Sequence, residues 1–219
     1  MTTLLHIDAS PRTERSLTRT LSAAFIDSWR TIRPDDQVIR RDIGLQPPPA
    51  LTEAWIAAAF TAPEARTPAQ DDILSLSDTL ITELERADVV VIGTPMHNYG
   101  MPTALKAWVD HVIRIGRTFS FDLKRGDFPL RPVLSGKHLA LLTSAGEFGF
   151  EPGGVREAMN HLDTHIRAIQ HYLGIAQTQH VAIEYQEFGD QRHKQSVDAA
   201  LAAIDPTVRT IASRLSLAA

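Results

Sequence analysis

The chain has 219 residues, 43% of them apolar, and a formal net charge of −4. That length suits one α/β domain, 1–219, ahead of two small ones, and the apolar share allows a full buried core. The charge and the lack of a basic block set aside nucleic-acid binding, which needs a cationic surface against phosphates; the absence of cysteine removes disulfides, thiolate metal sites and a Cys nucleophile.

Met1 to Ser10 has no basic leader before a long apolar core, so it reads as a first strand and not as a signal peptide. No apolar stretch approaches the ~18 residues of a membrane span. A cytoplasmic protein with no membrane partner is expected.

Leu4 to Ala9 predicts a short buried strand, closed by a polar loop from Ser10 to Arg15. A helix opens at Ser16, with Leu17, Leu21, Ala24, Phe25 and Ile32 spaced for one face. Gln37 to Ile43 reads as a more exposed strand, ended by Gly44 and Pro47-Pro48-Pro49. Thr52 to Glu85 is helical with interruptions near Pro63 and Pro68. Asp88 to Thr94 carries Val89-Val90-Val91-Ile92, the β-branched run of a strand buried on both faces.

After the loop Pro95 to Pro102, a helix runs from Thr103 to about Ile115. Its Leu105, Trp108, Val109, Val112 and Ile113 form an apolar surface that would serve a core or a dimer. Leu139 to Ser144 is another buried strand, followed by a helix from about Arg156 to Leu173, a strand from Thr178 to Glu184 and a closing helix from about Arg192 to Leu215. Residues 44–51 and 120–136 read as the long irregular stretches. Five alternations of strand and helix predict a doubly wound five-stranded parallel sheet, order 2-1-3-4-5, with helices on both faces. Ligands bind such sheets at the carboxyl ends of the strands, beside the switch point.

Three loops would meet there. Ser10-Pro11-Arg12-Thr13-Glu14-Arg15-Ser16-Leu17-Thr18 brings four hydroxyls and two arginines to a helix start, where unpaired N–H groups suit a phosphate; Ser16 as an ordinary N-cap is the alternative. Thr94-Pro95-Met96-His97-Asn98-Tyr99-Gly100-Met101-Pro102 is stiffened by two prolines and offers polarizable surfaces to a planar ring, or packs as a plain crossover loop. Thr143-Ser144-Ala145-Gly146-Glu147-Phe148-Gly149-Phe150 places small residues after a strand, where backbone can approach a ligand closely or simply turn.

Pro95-Met96-His97-Asn98-Tyr99, followed by Pro102-Thr103-Ala104-Leu105-Lys106-Ala107-Trp108-Val109-Asp110 and Gly116-Arg117-Thr118-Phe119, resembles the FMN-dependent NADH-azoreductases, also described as FMN-dependent NADH:quinone oxidoreductases. Gly136-Lys137 and Thr143-Ser144 are similar too, and the resemblance spans essentially the whole chain. It implies a flavodoxin-like fold, bound FMN, NADH or NADPH as electron-donating substrate, and a homodimer with the flavin near its interface. By position it implies FMN contacts at Ser10, Ser16, Leu17, Thr18, Met96, His97, Asn98, Tyr99, Ser144, Ala145, Gly146 and Glu147. It further implies a ping-pong transfer of hydride from NAD(P)H through flavin to a small quinone or azo acceptor. Met96, Asn98 and Tyr99 would hold the ring, with Gly146 allowing close approach to its polar edge.

Two departures stand out. His97 replaces the family's usual tyrosine, and Ala145-Gly146-Glu147 replaces an Arg-Gly-Gly type of sequence, so Glu147 would add negative charge beside the flavin and lower its potential or alter acceptor choice. Imidazole ordinarily titrates near neutrality, which makes His97 a candidate proton donor, with a positioning or merely exposed role as the alternative. Phe119 and Phe121 are candidates for an aromatic wall over the acceptor, or for core packing.

Other chemistries lack their patterns. Gly136-Lys137 is followed by His138, so there is no P-loop, and neither Gly-x-Gly-x-x-Gly nor Gly-x-Ser-x-Gly is present. His161 and His165, four apart on the expected helix, lack an intervening Glu and a third ligand, so no metal is expected. A flavodoxin-like electron carrier and an NAD(P)H-dependent flavin reductase remain as alternative readings.

Overall fold

The computed structural model describes residues 1–218. Strands β1 (Thr3–Asp8), β2 (Gln37–Asp42), β3 (Val89–Pro95), β6 (Lys137–Ser144) and β7 (Ile175–Ile183) form one sheet in the order β2-β1-β3-β6-β7, every pair parallel. Counting only these five strands, that is the expected 2-1-3-4-5 arrangement. The other elements are α1 (Leu17–Ile32), α2 (Glu53–Phe60), α3 (Pro68–Arg86), α4 (Thr103–Val112), the short strands β4 (Phe119–Phe121) and β5 (Leu130–Pro132), α5 (Asp163–Ile169) and α6 (Gln191–Ala218).

Alternation along each strand sorts the core into two layers. Leu5 and Ile7 of β1, Val90 and Ile92 of β3, and Leu139 and Leu141 of β6 pack with Leu80, Ile81 and Leu84 of α3, Trp108 and Val112 of α4 and Ile166 of α5. The opposite faces, Leu4, Val89, Val91, Ala140 and Leu142, meet Leu21, Phe25 and Trp29 of α1 and Ile204, Val208 and Ile211 of α6. Residues 89 to 94 of β3 are buried throughout, as a strand covered on both sides requires. The apolar face of α4 is spent inside this core: Leu105, Trp108, Val109 and Val112 are all buried, so they are not a dimer surface.

The interruptions expected in the second helical region are real. Thr67 and Gln70 form a reciprocal capping box in front of α3, with Pro68 in its first turn. Lys137 is buried, and its Nζ donates to the carbonyls of Glu85 and Ala87 at 3.0 and 2.6 Å, closing the C-terminal end of α3.

Three expectations need correction. Residues 120–136 are not wholly irregular: β4 and β5 pair antiparallel, Phe119 opposite Pro132. The helix expected from Arg156 begins only at Asp163, because buried Asn160 turns the chain there; its Oδ1 accepts the Asp163 N–H at 3.0 Å while its Nδ2 donates to Phe150 O. His161 therefore precedes α5, and the two histidines do not share a helix. That helix also ends early, since the turn through Gly174 (φ 77°) feeds β7 already at Ile175.

One close approach links the fold to the loop after β1. Gly44 donates its N–H to Asp8 O at 2.9 Å, and a Cβ on Gly44 would stand 2.1 Å from the carbonyl oxygen of Ser10. We expect Gly44→Ala to displace Ser10 and to destabilise the fold by about 1–3 kcal/mol, the usual cost of overpacking. Urea unfolding should show a lower midpoint at unchanged slope; an unchanged midpoint would mean that the two loops move apart freely.

Candidate functional site

The ladder of the sheet continues past the strand ends and roots each loop. Ala9 donates to Gly93 O at 2.9 Å, Met96 to Ser144 O at 2.8 Å, and Ala145 to Ile183 O at 2.8 Å. In the first loop Ser10 is 3% exposed, and its Oγ accepts the Arg12 N–H at 3.3 Å. Ser16 is the N-cap of α1: its Oγ accepts the Arg19 N–H and lies 3.3 Å from Thr18 Oγ1. The N–H groups of Leu17 and Thr18 fall in the first turn, where no intrahelical acceptor exists and the helix end is partly positive. Arg12 and Arg15 are exposed beside it.

In the second loop His97 and Gly100 exchange two backbone hydrogen bonds, at 3.0 and 2.9 Å, around a tight turn. Its central residues, Asn98 (φ 48°) and Tyr99 (φ 65°), are left-handed, the conformation of a type I′ turn. Tyrosine rarely adopts it, and surrounding bonds hold it: Tyr99 O accepts the His161 N–H at 2.9 Å, and Tyr99 Oη donates to Glu147 Oε2 at 2.9 Å. That carboxylate, bonded to the phenol and repelling a phenolate, raises the Tyr99 pKa above the ordinary tyrosine value.

The third loop is closed by the segment after β7. Tyr185 donates to Glu147 O, Gln186 to Ala145 O and Glu187 to Gly146 O, at 3.0, 3.3 and 2.9 Å. A Cβ on Gly146 would lie 2.5 Å from Glu187 Cγ, so the group pressing on this glycine is the protein's own side chain. Glu147 is not an isolated negative charge: Arg156 Nε donates to its Oε1 at 3.0 Å, and the same guanidinium lies 4.6 Å over the Phe148 ring.

These loops enclose one cleft, lined by Ser10, Arg12, Arg15, Ser16 and Leu17 on one side and by Met96, His97, Ser144, Gly146 and Glu187 on the other. Thr18 is buried beneath the cradle, while Asn98, Tyr99, Ala145 and Glu147 flank the cleft without lining it. Phe119 and Phe121 are not brought to it: Phe119 packs on Tyr172, ring centroids 5.6 Å apart, and Phe121 is exposed on the β4–β5 ribbon. Sequence reasoning missed Glu187 and its neighbour Gln186, whose polar segment carries no motif. It also missed Arg19 and Asp42, whose bidentate pairing (2.7 Å at both nitrogens) joins residues 23 apart. Their placement at the starts and ends of elements on the carboxyl edge was the available signal.

A second cavity, about 250 Å³, lies across the third loop and shares Met96 and Ser144. Its wall aligns Thr143, His180 and Asp163, a hydroxyl–imidazole–carboxylate row not visible in the sequence. Thr143 Oγ1 is 2.8 Å from His180 Nε2, but His180 Nδ1 is 3.6 Å from Asp163, too far for the hydrogen bond that would orient a catalytic base. The row is a polar packing contact.

Comparison with known proteins agrees with this architecture. The family model described as flavodoxin-like fold matches residues 2–207. FMN-dependent NADH:quinone oxidoreductase 2 of Colwellia psychrerythraea is 48% identical, over 96% of this chain and 100% of that protein. The enzyme of the same name from Idiomarina loihiensis is 49% identical, over 99% and 92%. The structure of an FMN-dependent NADH-azoreductase from Bacillus anthracis in complex with FMN superposes with a TM-score of 0.84, at 16% identity, over 96% and 99% of the two chains; at that identity it speaks for the fold.

The bridge from Tyr99 through Glu147 to Arg156 has a direct readout. Tyr99 should ionise above the ordinary tyrosine value, and Glu147→Gln, which removes the repelling charge, should bring it down. Ultraviolet difference titration measures this, with Tyr99→Phe identifying the signal among three tyrosines. A titration unmoved by Glu147→Gln would mean that the bridge does not persist in solution.

Proposed function

Since the chain belongs to the flavodoxin-like fold family, together with the FMN-dependent NADH:quinone oxidoreductases it resembles over its full length, we propose that it binds FMN in the three-loop cleft and is an NAD(P)H-dependent quinone reductase that also takes azo compounds. The observation that carries this reading is the cleft itself, which joins a hydroxyl-lined helix start to two loops rooted on neighbouring strands. Bound FMN would supply the redox chemistry, accepting hydride from NAD(P)H and passing two electrons to an acceptor in a ping-pong cycle.

The chain's own groups fit that cofactor. Ser10, Ser16 and the N–H groups of Leu17 and Thr18 suit a phosphate at the partly positive helix end, with Arg12 and Arg15 adding charge. Met96, Ser144 and Gly146, which line the cleft, suit the ring, and the Asn98–Tyr99 turn keeps its left-handed shape through Glu147. No dinucleotide fingerprint is present, so NAD(P)H visits as a substrate.

Proton delivery to the reduced acceptor falls to a group on the open side. We assign it to His97, whose exposure on the cleft wall supports that role. Ile56, Phe60, Phe121 and Phe128 stand exposed on α2 and the β4–β5 ribbon, apolar area that a second copy of the chain would cover in a homodimer. Among the described residues no helix is long and apolar enough to cross a membrane, and we place the reaction in the NAD(P)H-supplied cytoplasm.

Purified protein given FMN and then desalted should keep the flavin's visible absorption and lose it quickly with anaerobic NADH or NADPH. Retained flavin that neither nucleotide bleaches would make the protein an electron carrier; no retained flavin would refute the cleft assignment. With His97→Phe, acceptor reduction should fail while flavin reduction by NAD(P)H continues. Unchanged turnover would pass the proton step to solvent or to Glu187.

A further inference from the structure

Arg19 occupies an unfavourable place for a cation. It is the third residue of α1, whose first turn has no acidic side chain, at the end where the helix dipole already repels positive charge. Its guanidinium is nevertheless folded inward, with 16% of the side chain exposed. Nε donates to Arg12 O at 2.8 Å, and Nη2 donates to Ser10 O and to Asp42 Oδ1, both at 2.7 Å. Nη1 donates to Asp42 Oδ2 at 2.7 Å and lies 3.6 Å from Asp8 Oδ2.

Asp42 is itself held, accepting the Leu45 N–H at 3.0 Å, and Asp8 Oδ1 accepts Ser22 Oγ at 2.7 Å. The bidentate bond to Asp42 raises the Arg19 pKa and lowers that of Asp42, so both stay charged through the neutral range. The ends of β1 and β2, the first turn of α1 and the loop 10–16 therefore converge on one planar fork.

The two carbonyls it captures flank Pro11, in the loop that forms one wall of the cleft. A carbonyl carries partial negative charge, and one turned toward a bound phosphate would repel it. Arg19 turns both inward, away from that role. In a trans peptide the N–H points opposite its carbonyl, so capture of Arg12 O also sets the Thr13 N–H on the side away from the guanidinium. Four of the five guanidinium donors are used on the protein, which leaves this side chain little with which to grip a ligand.

We propose that Arg19 is a positioning residue for the cofactor's phosphate: it shapes the loop from Ser10 to Ser16 into an anion cradle without touching the anion. The inference rests on the FMN reading above. Lysine cannot replace it, because one ammonium cannot span two carbonyls and both carboxylate oxygens of Asp42.

The test compares FMN with riboflavin, which lacks the phosphate, by titrating flavin fluorescence against wild type, Arg19→Ala and Arg19→Lys. Wild type should prefer FMN. Both variants should lose FMN affinity by about tenfold or more, as for loss of charge-assisted hydrogen bonds, with riboflavin affinity unchanged. Arg19→Lys keeps the charge and guards against a misfolded alanine variant. Unchanged affinity of both variants for FMN, beside a wild type that prefers FMN, would overturn the Arg19 role and leave the FMN reading standing. Equal loss of both flavins would assign Arg19 to the fold alone, and full rescue by lysine would show that charge and not the fork is required. Wild type with no preference for FMN would overturn both inferences.

Discussion

The parallel ladder is the constraint on which the site depends, because it does not stop where the strands do. Ala9 pairs with Gly93, Met96 with Ser144 and Ala145 with Ile183 beyond the regular strands, so each loop leaves the sheet at a height set by backbone hydrogen bonds. Buried peptide groups must be paired, and the pairs available at the carboxyl edge are those between loop roots. The three loops are thus held side by side before any side chain in them makes a contact. The cleft is a consequence of sheet order.

On that base, each loop is stiffened by different means. The first depends on the guanidinium of Arg19 and on the close approach of Gly44 to Ser10. The second has two residues in the left-handed region, one of them a tyrosine, a conformation that persists only where neighbours over-determine it. The third is sewn to residues 185–187 through three backbone bonds and braced by Arg156 stacked on Phe148. Phe148 in turn stacks on Tyr185, centroids 4.4 Å apart, so the aromatic layer and the backbone bonds act on the same segment.

The charges around the cleft follow from these arrangements more than from composition. The chain is net negative, yet one wall of the cleft gathers Arg12 and Arg15 at a helix N-terminus. Glu147, a departure from the family's sequence, is drawn out of the cleft into a pair with Arg156 and a hydrogen bond from Tyr99. Its field in the cleft is correspondingly reduced, since a neighbouring opposite charge offsets it at short range. Glu187 is the carboxylate that does line the cleft. The acidic position singled out by motif and the acidic position that lines the cleft are here two different residues.

Much of this was legible in the residues themselves. The β-branched run at 89–92, the punctuation by proline and glycine and the helical spacing of Leu17, Leu21 and Phe25 specify the elements and their alternation, because burial on one or both faces of an element is a local property of the chain; the strand order followed from the usual arrangement of five such alternations. The motif from Pro95 to Asp110 carried the family resemblance through residue identity, which is also local to the chain. Tertiary structure decided what depends on contacts distant in sequence: that Arg19 reaches Asp42, that Glu187 presses on Gly146, that Phe119 packs on Tyr172 instead of facing the cleft, and that Asn160 delays α5. A charged or aromatic side chain has the same identity whether it faces solvent, core or ligand. The fold supplies its partner, and the partner sets its role.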